Sequence, residues 1–199
     1  IEACGQCHSR RTPIQEASLP GEPLLQSYLP ALLVPPLYED DGQIKDEVYE
    51  YGSFLQSKMY AAGVTCGDCH NPHALKPTVG NQLCTRCHAA AAFDTPKHHF
   101  HRTTSLGARC VACHMPTKTY MVVDERHDHS LRIPRPDLTD ALGTSNACSS
   151  CHKDHPAAWA AQADLGMGHG AASWEGVKGQ ARQPLAAPRP KAGKVSSTV

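Results

Sequence analysis

The sequence lacks the marks of several common protein classes. Neither sign of charge is in surplus, with 19 Lys and Arg against 19 Asp and Glu, which speaks against a polybasic grip on nucleic acid. No apolar run approaches the ~20 residues that a bilayer-spanning helix needs. Large apolar side chains are scarce: only 40% of residues are hydrophobic, cysteine included, and there are just three Phe and two Trp. Such a chain can build only a thin core from its own side chains. The 16 prolines leave little room for long helices. No cysteine stands alone either, because all ten fall into five pairs of one spacing.

The pairs are Cys4 and Cys7, Cys66 and Cys69, Cys84 and Cys87, Cys110 and Cys113, and Cys148 and Cys151. Each is followed at once by a histidine, namely His8, His70, His88, His114 and His152. Two cysteines three positions apart lie on one side of a helical turn, where their sulfurs can form thioethers to the two vinyl groups of a haem. The next histidine can then bind the iron, and this is the c-type haem attachment signature. Zinc ribbons and disulfide frameworks also use paired cysteines, but neither requires a histidine directly after the second one. With 13 histidines in 199 residues, five such coincidences have a random probability on the order of one in a million.

The reading is therefore five covalently bound haems c, whose flat macrocycles supply the apolar surface that the polypeptide lacks. The fold class expected is mostly irregular, with short α-helices and one or two small hairpins: a multihaem cytochrome c fold organised around stacked haems. Each ferric haem with two neutral imidazoles and two ionised propionates adds about one negative charge, so the loaded protein should sit near about minus five.

Residues 1–165 read as one pentahaem domain. Residues 9–65 form a haem-free insertion within it, and 166–199, with Pro184, Pro188 and Pro190, read as a flexible tail. Inside the insertion, Leu24 to Leu33 allows a few helical turns, and Leu37 to Lys45 reads as a hairpin around Asp40-Asp41-Gly42. Val48, Tyr51, Leu55 and Met59 share a helical stripe, with Asp46 as N-cap and Gly63 as the stop. Met59 on that stripe reads as packing rather than as an iron ligand. Tyr120 to Val123 reads as a short strand, and Pro156 to Leu165 as a last helix.

Five irons need five further ligands, and eight histidines lie outside the motifs. His73 is three residues past His70, too close to reach the far side of the same iron, and so should serve another. In Lys97-His98-His99-Phe100-His101, His98 and His101 share a face if the segment is helical and are the preferred ligands. His99 is left for solvent or a propionate.

Several runs outside the haem motifs carry a resemblance. Asp124 to Leu138, Cys113-His114-Met115-Pro116, the Asp46 to Tyr60 segment and Cys69-His70-Asn71-Pro72-His73 resemble multihaem cytochromes of the cytochrome c554 and hydroxylamine oxidoreductase-like superfamily. The likeness is greatest to large multihaem proteins that continue into tetratricopeptide repeats, and it covers roughly residues 1–165. It implies bis-histidine haems in stacked pairs, with His73, His98, His101 and His129 as distal ligands. The repeats and the upstream haem motifs of those relatives are absent here. For the fifth distal position His155 ranks first, ahead of His127, His99 and His169.

Two function classes follow. One is electron transfer through five bis-histidine haems, with redox proteins or terminal electron acceptors as partners. The other is an oxidoreductase acting on nitrite or hydroxylamine at one haem with an open position. No motif replaces its histidine with lysine, as the resemblance would require for a nitrite reductase, and the histidine count favours electron transfer. Haem attachment of this kind belongs outside the cytoplasm, so the chain is expected in the periplasm or beyond the cell. Beginning without Met just before its first motif, it reads as a processed or trimmed product. A missing fifth ligand would let identical subunits join head to tail by lending a histidine, giving an extracellular filament.

Overall fold

The computed structural model describes residues 1–15, 21–72, 74 and 80–164. His73, His169 and the expected tail at 166–199 lie outside them. Among the described residues the longest helix, Ala157–Asp164, has eight residues. Several of the others are single turns, such as Glu2–Gly5, Cys66–Cys69 and Gln82–Thr85. Two small antiparallel ribbons complete the architecture, in the irregular fold class that the sequence implied. Strand β1 (Arg11–Pro13) pairs with β2 (Tyr28–Pro30), Thr12 opposite Leu29. Strand β3 (Thr117–Tyr120) pairs with β4 (Asp124–His127), Lys118 opposite Arg126.

The insertion folds differently in detail from its sequence pattern. Leu24–Ser27 makes one helical turn and the chain then extends into β2, because Pro30 cannot continue a helix and the strand finds a partner in β1. The expected Asp46 to Gly63 helix is two short ones. Glu50–Leu55 starts after Tyr49, and Lys58–Ala61 starts afresh at Ser57, whose side chain accepts the Tyr60 backbone N–H. The hairpin around Asp40-Asp41-Gly42 is present as a bridge between Tyr38 and Ile44. The strand placed at Tyr120 to Val123 ends at Tyr120, and Met121–Val123 form the turn. Met121 and Val122 there take positive φ of 48° and 71°, an unusual choice for a β-branched residue.

The polypeptide core is indeed thin. Tyr38, Ile44, Val48 and Tyr120 form one buried cluster, flanked by Leu33 and Leu37, while Leu32, Leu106 and Val122 stand largely exposed. Polar ties fix this knot to the second half of the chain. The Asp128 carboxylate accepts the Ile44 and Ser130 N–H groups, Gln43 donates to the Ser145 carbonyl at 2.7 Å, and Arg132 donates to the Asp41 carbonyl at 2.9 Å. The insertion thereby braces the segments that carry the fourth and fifth motifs.

Candidate haem-binding site

Each cysteine pair sits on a short turn, and the second, fourth and fifth of these turns carry a side-chain cap. Thr65 and Asp68 form a reciprocal capping box at the start of Cys66–Cys69. Asn81 bonds Asp94 and the Ala108 carbonyl through its amide N–H groups and accepts the Cys110 N–H, so one side chain joins the third motif to the fourth. Asn146 accepts the Ser149 N–H and caps the fifth. No disulfide joins any of the ten cysteines. Among the described residues no three His, Cys, Asp or Glu side chains converge as a zinc site requires.

The motifs follow one another in space as they do in the chain. Cys4 lies beside Cys66, and Cys84 beside Cys110. Cys69 lies within electrostatic reach of Cys87, and Cys113 of Cys148 and Cys151. Burial pushes the Cys84 and Cys113 thiols up to about 11. An open cleft lined by Cys69, His70, Asn71 and Arg86 borders the second motif.

Three motif histidines face three others across a constant gap. The ring centroids are 6.2 Å apart for His70 and His129, 6.1 Å for His98 and His114, and 6.1 Å for His101 and His152. A metal–imidazole bond is about 2 Å long and the ring centroid lies about 1 Å beyond the nitrogen, so two imidazoles on opposite sides of one iron have centroids about 6 Å apart. The gap fits an iron between each pair. A direct ring stack in the same fold is much closer, as in His155 and Trp159 at 4.2 Å.

The other ring nitrogens support this fit. A metal-binding histidine usually donates its remaining N–H to a carbonyl or carboxylate, which fixes the tautomer and the ring's direction. His114 Nδ1 meets the Arg132 carbonyl at 2.9 Å and His129 Nδ1 the His127 carbonyl at 2.9 Å. His101 Nδ1 bonds the His99 carbonyl, and His8 Nδ1 lies 3.1 Å from a Glu50 oxygen. Each arrangement leaves Nε2 free to face a metal. Burial also depresses the proton affinity of His129 below the ordinary histidine value, which favours the neutral imidazole that a metal needs.

His98 and His101 turn out not to share a helix face. Pro96–His99 is one turn, and Phe100 follows in the left-handed region at φ 57°, so the two rings separate and meet different motif histidines. His99 Nδ1 accepts the His101 backbone N–H, which makes its Nε2 a donor, and that atom is buried without a partner. A buried N–H donor suits a carboxylate such as a propionate, not a metal. His127 Nδ1 bonds the Met115 carbonyl at 2.6 Å. His155 stacks on Trp159 and lies 6.2 Å from His152, the ring that His101 already faces.

For His8 and His88 no other described histidine lies at this gap. His88 meets the Phe93 ring edge-on at 5.9 Å. Two features were missed by sequence reasoning. Gly107 lies against His101 so closely that a Cβ there would come within 2.6 Å of its Cγ and 2.7 Å of its Nε2, and Glu50 is the first residue of a helix far from any motif. A glycine in a loop and a glutamate in a first turn carry no signal of their own.

Among the described residues no helix is long and apolar enough to cross a membrane. The chain matches no protein-family model, and no curated protein matches it. Its structure is similar to the crystal structure of the outer cell wall cytochrome OcwA, with a TM-score of 0.57 and 18% identity over 92% of this chain. This chain spans 56% of that one. At this identity the likeness is one of fold, and the fold is that of a multihaem cytochrome.

Proposed function

We propose that this chain is an electron-transfer cytochrome carrying five haems c, bound through Cys4, Cys7, Cys66, Cys69, Cys84, Cys87, Cys110, Cys113, Cys148 and Cys151. Each haem, when bound, supplies an iron that gains and loses one electron. The polypeptide holds the ligands: His8, His70, His88, His114 and His152 on the motif side, with His129, His98 and His101 opposite His70, His114 and His152. The observation that carries this reading is the 6.1–6.2 Å imidazole gap that recurs at three of the five motif histidines, His70, His114 and His152. Rings locked through Nδ1 to carbonyls keep their positions in both oxidation states, so little reorganisation accompanies each electron. The head-to-tail succession of the motifs sets the five sites in a file.

His73 is assigned to His8 or His88, leaving one distal position. His155 is the intramolecular choice, although its stack on Trp159 holds it beside its own motif. A histidine lent by an identical subunit is the other choice, and it would make a filament with redox proteins or terminal acceptors at its ends, in the periplasm or outside the cell. Electron images of native material should then show thin polymers, whereas a monodisperse monomer with five internally ligated irons would leave a shuttle.

A haemochrome assay against protein mass tests the core of the reading. Five haems per chain are expected, and zinc or fewer haems in mature protein would overturn it. A second reading is an oxidoreductase acting on nitrite or hydroxylamine at the position of His88, which no described histidine faces at the 6 Å gap and which meets the Phe93 ring instead. That reading requires the iron held by His88 to keep an open coordination site. The resemblance to the cytochrome c554 and hydroxylamine oxidoreductase-like superfamily is common to both.

A further inference from the structure

The first motif differs from the fourth, and from the histidines that face the second and fifth, in what stands behind its histidine ring. His114, His101 and His129 rest Nδ1 on backbone carbonyls, which are neutral. His8 rests Nδ1 on the Glu50 carboxylate, 3.1 Å away. The contact is one half of a two-point clamp, because the Tyr51 backbone N–H donates to the His8 carbonyl at 3.0 Å. The start of helix Glu50–Leu55 therefore docks on His8 through both its main chain and its first side chain, across more than forty residues of sequence.

That docking is built at a cost. Tyr49, directly before Glu50, has φ 61° and ψ −172°, a region that is essentially reserved for glycine and costs on the order of 1–3 kcal/mol. The surroundings hold it there: the Arg126 guanidinium lies over the Tyr49 ring at 4.8 Å, and the Arg10 N–H bonds the Val48 carbonyl at 3.1 Å. Arg126 is itself occupied by Glu47 at 2.9 Å and by Asp124 at 2.6 Å, so it has partners other than Glu50. Strain persisting at one residue, next to a carboxylate aimed at a motif histidine, marks a functional constraint.

We propose that Glu50 is a tuning and positioning residue for His8, and that it makes the first haem the most reducing of the five. The inference rests on the reading that His8 binds a haem iron. A carboxylate accepting the Nδ1 proton pushes negative charge onto the ring and raises the basicity of Nε2. This stabilises the ferric over the ferrous state, while a neutral carbonyl does so less. The couple is a one-electron one, with an electron mediator as donor and no bond to iron made or broken. The long haem-free insertion then has a purpose, since it returns Glu50 to the motif that precedes it in the chain. The first position becomes the low-potential end of the file.

The test is a mediated spectropotentiometric titration of the holoprotein and of Glu50→Gln, Glu50→Ala and Glu50→Asp, with haem counted in each and electron paramagnetic resonance spectra recorded. Glu50→Gln should shift the lowest of the five one-electron steps upward, leave the other four in place, and alter the g values of one low-spin haem. Glu50→Asp should restore most of the shift. Five haems with all five steps unmoved in both Glu50→Gln and Glu50→Ala would overturn the proposal and leave the cytochrome reading intact. Four haems in the parent protein, with Cys4 and Cys7 unmodified, would overturn the reading on which it rests.

Discussion

The imidazole rings of His98 and His114 lie 6.1 Å apart with their planes inclined by only 12°, although the two residues sit on separate helical turns. His101, three positions after His98, points instead to His152. One five-residue stretch thus faces two motifs, and the left-handed Phe100 is the pivot that splits it.

Replacing either residue should therefore open a different iron. His98→Ala and His101→Ala should each convert one haem in five to the high-spin ferric form, and the double variant should convert two. Quantitative electron paramagnetic resonance reads the fractions. A double variant with no more high-spin iron than either single one would mean that the two histidines share a site.

Gly107 predicts a subtler defect. A methyl at this position meets the His101 ring, and that ring cannot retreat without losing its bond to the His99 carbonyl. Gly107→Ala should weaken or displace the His101 ligand, giving high-spin character at the fifth haem with little change in the circular dichroism of the backbone. A spectrum identical to the parent would show that the ring has room to yield.

The tyrosine core sets an alkaline limit. Burial, with the Asp128 carboxylate nearby, raises the Tyr38 hydroxyl to about 12, against about 10 for an unfolded chain. Between these values the folded state keeps a proton that the unfolded state has lost, so stability falls as pH rises from about 10 to about 12, by up to about 1.4 kcal/mol per pH unit for this one residue. Below pH 10 the effect vanishes. Denaturant titrations across that range should show the decline, and Tyr38→Phe should make it shallower. An unaltered slope in the variant would assign the alkaline loss to Tyr51 and Tyr120, which burial raises as well.

The five paired cysteines and the histidines after them were legible as a motif because haem attachment demands fixed spacing, and the irregular fold class was legible through the prolines and the poverty of large apolar residues. The sequence was less informative wherever the outcome depended on contacts distant in the chain. The helix stripe from Val48 to Met59 was real as a pattern, yet the strained Tyr49 and the Ser57 cap divided it, since docking on His8 and a fresh cap outweigh weak helical propensity. Periodicity placed His98 and His101 on one face because it has no way to foresee a left-handed phenylalanine. Glu50 and Gly107 were invisible for the same reason, as their roles exist only through His8 and His101.

The most direct measurement of the central claim is the spin state of the fully oxidised holoprotein, taken on the same sample as its haem count. Low-spin ferric signals integrating to five haems per chain, with no high-spin component, are the result expected of a relay in which every iron lies between two histidines. A high-spin signal from about one haem in five would contradict that claim and turn attention to His88 and the Phe93 ring beside it.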